Sequence, residues 1–495
     1  MLKKLRLVLA LVFWIGITFL FLDFTGALHG YLGWMAKVQF LPAILALNVG
    51  VIVALVLLTL LFGRIYCSVI CPLGVFQDGL SHLRARRSKK PYQYHKEMKI
   101  LRYGVWILFV VCLIAGVHVV VTTLAPYSAY GRIVQNLLQP VYLWGNNLLA
   151  ALSERAGSYA FYEKEVWLKS GASLIVAIVT LLVVGFLAWR HGRAYCNSVC
   201  PVGTTLSFFS RFAMFRPMID TEKCKHCKAC EHHCKAHCIE VTKEIARIDH
   251  SRCVDCFNCL GQCKSGALKY KFAWGGSPAE PRKNTNDPGR RAFMTGTALA
   301  VGAAALKGVE ARAQEAAKKV DGGFAEVLPK QAPVRETPIT PPGSTSVKHF
   351  YQHCTGCQLC VAECPNHVLR PSGSLERLMQ PEMSFEKGFC RPECTRCSEL
   401  CPAGAIKRVN REEKTEYHVG TARVNADLCL EATDISHCGK CAQSCPTGAI
   451  TMVKQGETRR PAVAEEVCIG CGACEYYCPV RPVSAITVNG KEVHV

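Results

Sequence analysis

Long stretches almost free of charged residues dominate the first 190 positions of the chain. Four of them approach the ~20 residues that an α-helix needs to cross the hydrocarbon core of a bilayer. These predicted spans cover residues 5–24, 40–62, 103–124 and 171–189. The 495-residue chain is also 50% hydrophobic, with a mean hydropathy of +0.17, which is too apolar for an ordinary soluble protein. We therefore expect an integral membrane protein.

Basic residues cluster beside these apolar stretches. The loop of residues 84–102 holds eight Lys and Arg residues against one acid, Glu97, whereas the loop after the third span is nearly balanced. The positive-inside rule then places the N-terminus, residues 63–102 and the segment after Trp189 in the cytoplasm. Binding of lipid head groups by the same basic residues is compatible with this topology. The net charge of +21 thus fits membrane flanks better than a nucleic-acid partner.

An internal repeat follows the second and fourth spans. Residues 63–74 and 192–203 both read Gly-Arg-x-Tyr-Cys-x3-Cys-Pro-x-Gly. Because both spans exit on the same side, the two motifs can meet at one membrane face. Their four thiols would then suffice for an iron–sulfur site, with the ligands Cys67, Cys71, Cys196 and Cys200. Thiol pairs that pack a helix end, or two local dithiols, explain the same spacing.

Polar groups within or beside the spans are candidates for a quinone site. Asp23 and His29 follow the first span, and His118 lies within the third. A quinone head group needs hydrogen-bond donors and acceptors near the membrane interface, and these three side chains offer them. The alternative is that each is satisfied by a neighbouring helix. Covalent c-type haem is excluded because the sequence contains no C-x-x-C-H, and nothing in the histidine spacing demands a haem b.

Two C-x2-C-x2-C-x3-C motifs follow the fourth span, and this spacing is typical of two-cluster ferredoxins, in which the fourth thiolate binds the other cluster. The predicted ligand sets are Cys224, Cys227, Cys230 and Cys263 for one [4Fe–4S] cluster, and Cys253, Cys256, Cys259 and Cys234 for the other. Structural zinc sites usually join two C-x2-4-C knuckles across a longer gap, so zinc is disfavoured. Two further thiols, Cys112 and Cys238, are expected to be small buried packing residues.

The middle of the chain resembles an export signal. Residues 275–290 have linker composition, and Arg290–Arg291 precede a mild apolar run that ends near residue 306. This pattern resembles a twin-arginine signal, with Ala311-Arg312-Ala313 as a candidate cleavage site. A soluble Ala/Gly-rich helix is the alternative. On the favoured interpretation, everything after about residue 310 lies outside the cytoplasm, and residues 311–346 form an extended tether.

Four more four-cysteine motifs fill residues 347–495 at periods of 36, 39 and 39 residues. Their cysteines are Cys354, Cys357, Cys360, Cys364; Cys390, Cys394, Cys397, Cys401; Cys429, Cys438, Cys441, Cys445; and Cys468, Cys471, Cys474, Cys478. They predict four more [4Fe–4S] clusters, which makes six in all. The sequence lacks a G-x-G-x-x-G fingerprint and a P-loop, so we expect no nucleotide cofactor.

Together these motifs resemble two ferredoxin families. Residues 1–285 resemble the NapH-type membrane ferredoxins, through four spans, two Cys-x3-Cys-Pro motifs and a two-cluster ferredoxin. Residues 286–495 resemble the NapG (MauM-like) ferredoxins, through a twin-arginine signal and four cluster motifs. The resemblance implies a fused quinol dehydrogenase that sends electrons from membrane quinol to a periplasmic reductase. It also implies a pairing of the first C-terminal motif with the fourth, and of the second with the third.

The expected fold class is multi-domain, with an α-helical membrane domain (four spans plus a signal-like fifth) and α+β bacterial-ferredoxin-type [4Fe–4S] modules on both sides. The expected units are a membrane domain (1–212), a cytoplasmic two-cluster ferredoxin (213–274), a linker with the signal-like segment (275–310), a tether (311–346) and a periplasmic four-cluster ferredoxin (347–495). We expect transfer of electrons from the quinol pool to a periplasmic c-type cytochrome or reductase, at the bacterial inner membrane. A polyferredoxin fed by a cytoplasmic donor, and a redox-sensing or maturation accessory protein, are the alternatives.

Overall fold

The computed structural model describes residues 1–87, 91–274, 319–321, 325–455 and 458–494. The linker and the twin-arginine-like segment, including Arg290 and Arg291, lie outside the described residues. The predictions of export and of cleavage after Ala313 therefore stay predictions.

Residues 1–212 form a helical domain. Its helices within the described part are α1 (Leu2–Leu22), α2 (His29–Lys37), α3 (Phe40–Leu45), α4 (Val49–Phe62), α5 (Tyr66–Val69), α6 (Pro72–Arg87), α7 (Lys99–Ala115), α8 (His118–Leu124), α9 (Pro126–Ile133), α10 (Gln139–Arg155), α11 (Gly171–His191), α12 (Ala194–Ser198) and α13 (Pro201–Ser210). A π-helical segment, Val134–Leu138, joins α9 to α10.

Two of the four predicted spans are broken helices. Within the described residues, α1 and α11 are the helices long and apolar enough to cross a membrane, by length and composition. The predicted second span is divided into α3 and α4, because Leu47 adopts a φ of +50° and the Asn48 side chain caps α4 by accepting a hydrogen bond from Val51 N. The predicted third span is divided into α7 and α8, because Gly116 ends α7 in the left-handed conformation.

The N-terminal ferredoxin module (residues 215–272) consists of two antiparallel strand pairs around short helical turns. Strand β1 (Phe215–Ile219) pairs with β4 (Leu268–Phe272), and β2 (Ile239–Val241) pairs with β3 (Ala246–Ile248). The helical turns are α14 (Ala229–His232) and the 3₁₀ turn Leu260–Gln262. Because the first strand pairs with the last, both cysteine motifs are enclosed within one small unit.

The C-terminal ferredoxin module (residues 328–494) follows a short hairpin of β5 (Lys319–Asp321) and β6 (Ala325–Val327). Its strand pairs are β7 (Leu369–Pro371) with β8 (Pro381–Met383), β9 (Gly420–Val424) with β12 (Ile486–Gly490), and β10 (Ile450–Gln455) with β11 (Thr458–Val463). Its helices are α15 (Val347–His353), α16 (Leu359–Ala362), α17 (Arg396–Leu400), α18 (Arg411–Lys414), α19 (Lys440–Gln443) and α20 (Ala473–Tyr477), with a 3₁₀ turn at Leu375–Arg377.

Much of the predicted tether belongs to the C-terminal module. Lys330 Nζ donates hydrogen bonds to Tyr476 O (2.8 Å) and Cys478 O (3.1 Å), and Arg335 forms a 2.6 Å ion pair with Glu475. Ile339 is fully buried, and its carbonyl accepts a hydrogen bond from Met383 N. Composition alone predicted an extended tether up to residue 346. The ordered module instead begins near residue 330, because these contacts fix the segment along its surface.

The two ferredoxin modules contact opposite ends of the helical domain. The N-terminal module lies against the last residues of α4 and α11, where Met214 N donates to Leu60 O (2.7 Å) and His237 Nε2 lies 3.1 Å from His191 O. The C-terminal module lies against the first turn of α11, where Ser173 Oγ contacts Gln358 Oε1 at 3.1 Å. The helical domain therefore separates the two modules.

Candidate iron–sulfur sites and the paired cysteine motifs

The C-x2-C-x2-C loops share one backbone conformation. In four of the six motifs, the residues immediately before and after the second cysteine both adopt a positive φ. These pairs are His226 and Lys228, Asp255 and Phe257, Gly356 and Gln358, and Gly470 and Gly472. A positive φ is unfavourable for residues other than glycine, and such strain is concentrated at functional sites. The shared turn curls each loop so that its cysteines face a common centre.

In the N-terminal module the eight predicted ligands fall into two groups around two small cavities. The first cavity is lined by Cys224, Cys227, Cys230 and Cys263, and the second by Cys234, Cys253, Cys256 and Cys259. This grouping is the one that the spacing predicts. The remaining walls include apolar side chains such as Ile219 and Leu268 in the first cavity and Ile239 in the second.

A fifth thiol lies at the second of these cavities. Cys238 is buried, as the sequence predicted, but it also lines the cavity, and its Sγ lies 3.5 Å from Cys234 Sγ. The alignment of the two repeats, which sets Cys238 opposite Ala267, indicated packing alone. The four-residue spacing between Cys234 and Cys238 was the feature of the sequence that could have indicated a second thiol at this cavity.

The four motifs of the C-terminal module pair with their neighbours in the chain, which corrects the pairing that the resemblance implied. Each of the four sites combines three cysteines of one motif with the last cysteine of the next or preceding one. The sets are Cys354, Cys357, Cys360 with Cys401; Cys390, Cys394, Cys397 with Cys364; Cys429, Cys438, Cys441 with Cys478; and Cys468, Cys471, Cys474 with Cys445. Consecutive motifs therefore fold as two ferredoxin units, and Cys390 N donates to Cys471 O (2.9 Å) where the units meet.

The buried thiols of these sites fit a metal cluster whose core is cationic. Burial raises the pKa of Cys230, Cys256 and Cys441 to about 11, and that of Cys471 to about 12. Without a counter-charge these groups would stay neutral at pH 7. Iron supplies the positive charge that thiolate ligands require. Four thiols in an enclosed, largely apolar cavity are the donor set of a [4Fe–4S] cluster.

The structure brings the two Cys-x3-Cys-Pro motifs together. Cys67, Cys71, Cys196 and Cys200 are all buried, and Cys200 lies within electrostatic range of the other three. These four residues are called the cysteine quartet below. They lie in a single layer formed by α5, α12 and the starts of α6 and α13.

The motif arginines cross between the two copies of the repeat. Arg64 of the first copy donates to Cys196 O (3.1 Å), and Arg193 of the second donates to Cys67 O (2.8 Å). Both guanidinium groups are fully buried, and each also faces a quartet sulfur, Arg64 that of Cys67 at 3.9 Å and Arg193 that of Cys196 at 3.5 Å. The arginine of the repeat therefore holds the two copies together, a role that its position in the sequence did not reveal.

The last glycine of each copy makes room for the arginine of the other. A Cβ atom on Gly74 would lie 2.6 Å from Arg193 Nη1 and collide with Cys67 O. A Cβ atom on Gly203 would lie 2.6 Å from Arg64 Nη2 and collide with Cys196 O. The matching contacts in the two halves explain why both copies of the motif end in glycine.

A buried carboxylate compensates part of this positive charge. Asp78 forms ion pairs with Arg6 (2.7 Å), Arg193 (2.9 Å) and Lys235 (3.4 Å). Burial alone would raise the pKa of Asp78, but the three cations outweigh it and hold the pKa well below its ordinary value. Since Lys235 belongs to the N-terminal ferredoxin module, Asp78 also ties that module to the helical domain.

Comparison with known proteins identifies the chemistry of these regions. A 4Fe-4S binding domain matches residues 44–91 and 171–218, the two copies of the repeat with their preceding helices. A 4Fe-4S dicluster domain matches residues 436–481, and a second matches residues 249–368. The second match includes motifs from both ferredoxin modules.

Several curated relatives are ferredoxin-type proteins. The chain is 31% identical over 217 residues to the methylamine utilization ferredoxin-type protein MauM of Methylorubrum extorquens, and it spans 91% of that protein with 42% of its own length. It belongs to the MauM ferredoxin-type family. It is also similar to the ferredoxin-type proteins NapH (25% identity, 47% of this chain, 70% of NapH) and NapF (29% identity, 36% of this chain, 99% of NapF) of Escherichia coli. This family member is thus an iron–sulfur electron-transfer protein.

The three side chains predicted for a quinone site have different surroundings. Asp23 accepts hydrogen bonds from the backbone N–H groups of Thr25, Gly26 and Leu28, so it holds the loop between α1 and α2. His29 lies beside it but contacts Glu399 of the C-terminal module at 3.0 Å. His118 is buried, and both of its ring nitrogens lack a partner among the described residues. Their assignment to a quinone stays a prediction.

The cysteine quartet lies between thiol sites of the two modules. On one side of the quartet, Arg64 Nη1 donates to Ser251 O (3.1 Å), two residues before Cys253. On the other side, Tyr66 lies within electrostatic range of quartet thiols, and Tyr127 within range of Tyr66 and of Cys357. The quartet is therefore separated from a ferredoxin site on each side by one or two layers of side chains.

Proposed function

We propose that this family member is a quinol-oxidising iron–sulfur electron conduit embedded in the bacterial inner membrane. The observation that carries the proposal is the buried cysteine quartet between the thiol sites of two ferredoxin modules at opposite ends of an apolar helical domain. Electrons leave the C-terminal module for a periplasmic c-type cytochrome or reductase. Six [4Fe–4S] clusters held by the 24 motif cysteines would supply one-electron redox centres, and the protein sets their spacing and potentials.

Sites within each module lie beside one another, as a relay of electrons would require. Cys259 of the second N-terminal site lies within electrostatic range of Cys230 of the first. In the C-terminal module, Cys360 of the first site lies within range of Cys397 of the second. Cys471 of the fourth site lies within range of Cys390. These contacts link the two N-terminal sites to each other, and the second C-terminal site to the first and the fourth.

The quartet is proposed as the bridging iron–sulfur site. Its fit rests on four buried thiols that face two buried guanidinium groups. Arg64 Nε and Arg193 Nη2 have no hydrogen-bond partner within the described part of the chain, and a buried guanidinium requires a counter-charge. A cluster ligated by four thiolates is anionic and would provide that charge. Arg64 and Arg193 would then orient the thiolates and stabilise their negative charge.

Membrane placement is supported by the exposed surface of the helices. Large apolar side chains point outward from α1, α7, α10 and α11, among them Val12, Val111, Leu148 and Leu182, which are 52%, 55%, 63% and 66% exposed. Apolar surface on this scale is unusual for a protein in water and suits lipid contact. In this placement the N-terminal module faces the cytoplasm and the C-terminal module faces the periplasm.

Anaerobic reduction of the purified, lipid-embedded protein by a menaquinol analogue tests the proposed function. Electron paramagnetic resonance should show reduced-cluster signals already in the earliest sample that rapid freezing traps, and a quinone-site inhibitor should abolish them. Clusters that dithionite reduces but quinol does not would refute quinol oxidation. They would favour the alternatives, a conduit fed by another donor or an accessory protein.

Substitution of a quartet cysteine tests the bridge. Cys67→Ala should stop electron exchange between the two modules while iron content stays that of the six motif sites. A limiting amount of reductant should then reduce the clusters of one module only. Cys112→Ala, which removes a buried thiol of α7 outside the quartet, is the matched control. Normal exchange in Cys67→Ala would refute the bridging role.

A further inference from the structure

A cavity of about 300 Å³ lies where the helical domain meets the C-terminal module. Its walls come from the π-helical segment and the start of α10, from residues 164–169, and from residues 362–367 of the C-terminal module. Most of the lining is apolar, with Phe24, Leu143, Trp144 and Leu174 among the contributors. The volume and lining are those of a pocket for a small, largely apolar molecule.

Two residues that line this cavity each have a buried polar atom without a partner. Trp167 Nε1 is buried and has no hydrogen-bond acceptor within the described part of the chain, and Gln135 Oε1 has no donor there. Gln135 is only 3% exposed. Lys169 Nζ, also at the wall, donates to Gln139 Oε1 (3.2 Å) and Val361 O (3.0 Å). An unpaired donor and an unpaired acceptor in one apolar cavity point to a ligand that provides the missing partners.

The cavity adjoins a candidate redox centre. Cys364 lines it and also lines the second C-terminal site, together with Cys390, Cys394 and Cys397. A molecule in the cavity would therefore lie against a ligand of that site. No further layer of side chains would separate this molecule from the second C-terminal site.

A quinone head group matches these features. It is a flat ring with oxygens on opposite edges, each able to accept a hydrogen bond as quinone or donate one as quinol. The indole of Trp144 offers a face for the ring. One face of Trp167 is covered by the guanidinium of Arg370, which lies 4.6 Å from its ring centre. Trp144 and Leu168 are 62% and 46% exposed, so an isoprenoid tail can leave towards the apolar outer surface of α10.

We propose that this cavity binds the quinol head group, with Trp167 Nε1 donating to one oxygen and Gln135 Oε1 accepting from a hydroxyl. This inference rests on the proposed function and names the substrate site for it. The quinol loses two electrons and two protons and becomes quinone. The electrons would pass singly to an iron–sulfur group that Cys364 would help to hold, and the protons would leave to solvent. None of Asp23, His29 and His118 lines the cavity.

Photoaffinity labelling of the full-length protein in lipid nanodiscs with an azidoquinone tests the location directly. Labelled peptides should come from residues 135–144, 164–174 or 362–367, and excess menaquinone analogue should compete. Labelling confined to other peptides, such as those around residues 23–29 or 118, would overturn the inference.

Two variants test the residues. Leu143→Trp fills the cavity and should lower both labelling and the rate of quinol-driven cluster reduction more than 10-fold, with dithionite-reducible iron unchanged. Trp167→Phe keeps an aromatic ring but removes the N–H, and should weaken analogue binding roughly 2- to 12-fold, the equivalent of one hydrogen bond. Trp106→Phe is the control, because Trp106 Nε1 donates to Thr205 Oγ1 (3.0 Å) away from the cavity. It should bind like the unmodified protein.

The outcomes separate this inference from the proposed function. Fast quinol reduction that survives Leu143→Trp, with labels elsewhere, would overturn the cavity and leave quinol oxidation standing. Competed labels in the cavity without quinol-driven reduction would support the binding site and refute the dehydrogenase.

Discussion

Gly74 provides the sharpest test of how the two copies of the repeat fit together. Replacement by alanine adds a methyl group that would lie 2.6 Å from Arg193 Nη1 and collide with Cys67 O. Neither atom can move freely, because Arg193 is fixed by Asp78 at 2.9 Å and Cys67 O belongs to the backbone. Overpacking costs about 1–3 kcal/mol, and loss of the hydrogen bond from Arg193 to Cys67 O costs about 1.5–3 kcal/mol more.

The same substitution elsewhere on the helix is the matched control. Gly79 also lies in α6, is exposed, and has no atom within 4 Å of the position of an added Cβ. Gly79→Ala should therefore stabilise the protein by up to about 1 kcal/mol through helix propensity. After subtraction of that gain, Gly74→Ala should destabilise it by about 2–5 kcal/mol.

Thermal unfolding in detergent, followed by circular dichroism, measures the difference. A loss of this size should lower the Tm of Gly74→Ala by roughly 5–15 °C, whereas Gly79→Ala should keep or raise it. Gly203→Ala, the equivalent change in the second copy, should behave like Gly74→Ala. Equal Tm values for the Gly74 and Gly79 variants would refute the crossed packing of the two motifs.

Three further predictions concern the modules. Asp78→Asn should destabilise the protein by about 3–5 kcal/mol, since three buried cations lose their shared carboxylate. In the unmodified protein this contribution should be present above pH ~4 and decline as the pH falls below that, because the folded-state pKa of Asp78 is depressed; a Tm-against-pH series in both proteins checks it. Arg335→Ala should raise amide hydrogen exchange in residues 330–340, since the ion pair with Glu475 is lost. Exchange equal to that of the unmodified protein would show that this ion pair does not fix the segment to the C-terminal module. Cys401→Ser should alter the paramagnetic signal that Cys354→Ser alters; changes in two different clusters would contradict the pairing of the first motif with the second.

The cluster-binding loops could be predicted from sequence because their chemistry is local. A C-x2-C-x2-C loop brings three thiols together within seven residues, and the left-handed residues at positions such as His226 and Lys228 follow from that short closure. The grouping of the N-terminal ligands around two cavities also agrees with the spacing. The fourth cysteine of each C-terminal site comes from another motif, so its origin depends on how motifs pack. That is why the implied pairing was wrong.

The apolar segments, too, could be predicted from the sequence only in part. Hydropathy located α1 and α11 as single apolar helices, since a helix in an apolar environment requires apolar side chains all round. It did not indicate α9 or α10, which lie in the loop predicted after the third span. It could not locate the breaks at Leu47 and Gly116, because the residues on both sides of each break are equally apolar. Those breaks depend on the backbone conformation of one or two residues and on the Asn48 cap.

By itself, the sequence determined the number of cysteine motifs, the type of chemistry they support and the existence of two equivalent copies of the Cys-x3-Cys-Pro repeat. Only the tertiary structure decided that Arg64 and Arg193 each donate a hydrogen bond to the other copy, and that Gly74 and Gly203 leave room for them. It also decided that a cavity lies beside Cys364. These features join residues more than 100 positions apart. Their contacts come from the packing of helices and modules against one another, which no local pattern of residues encodes.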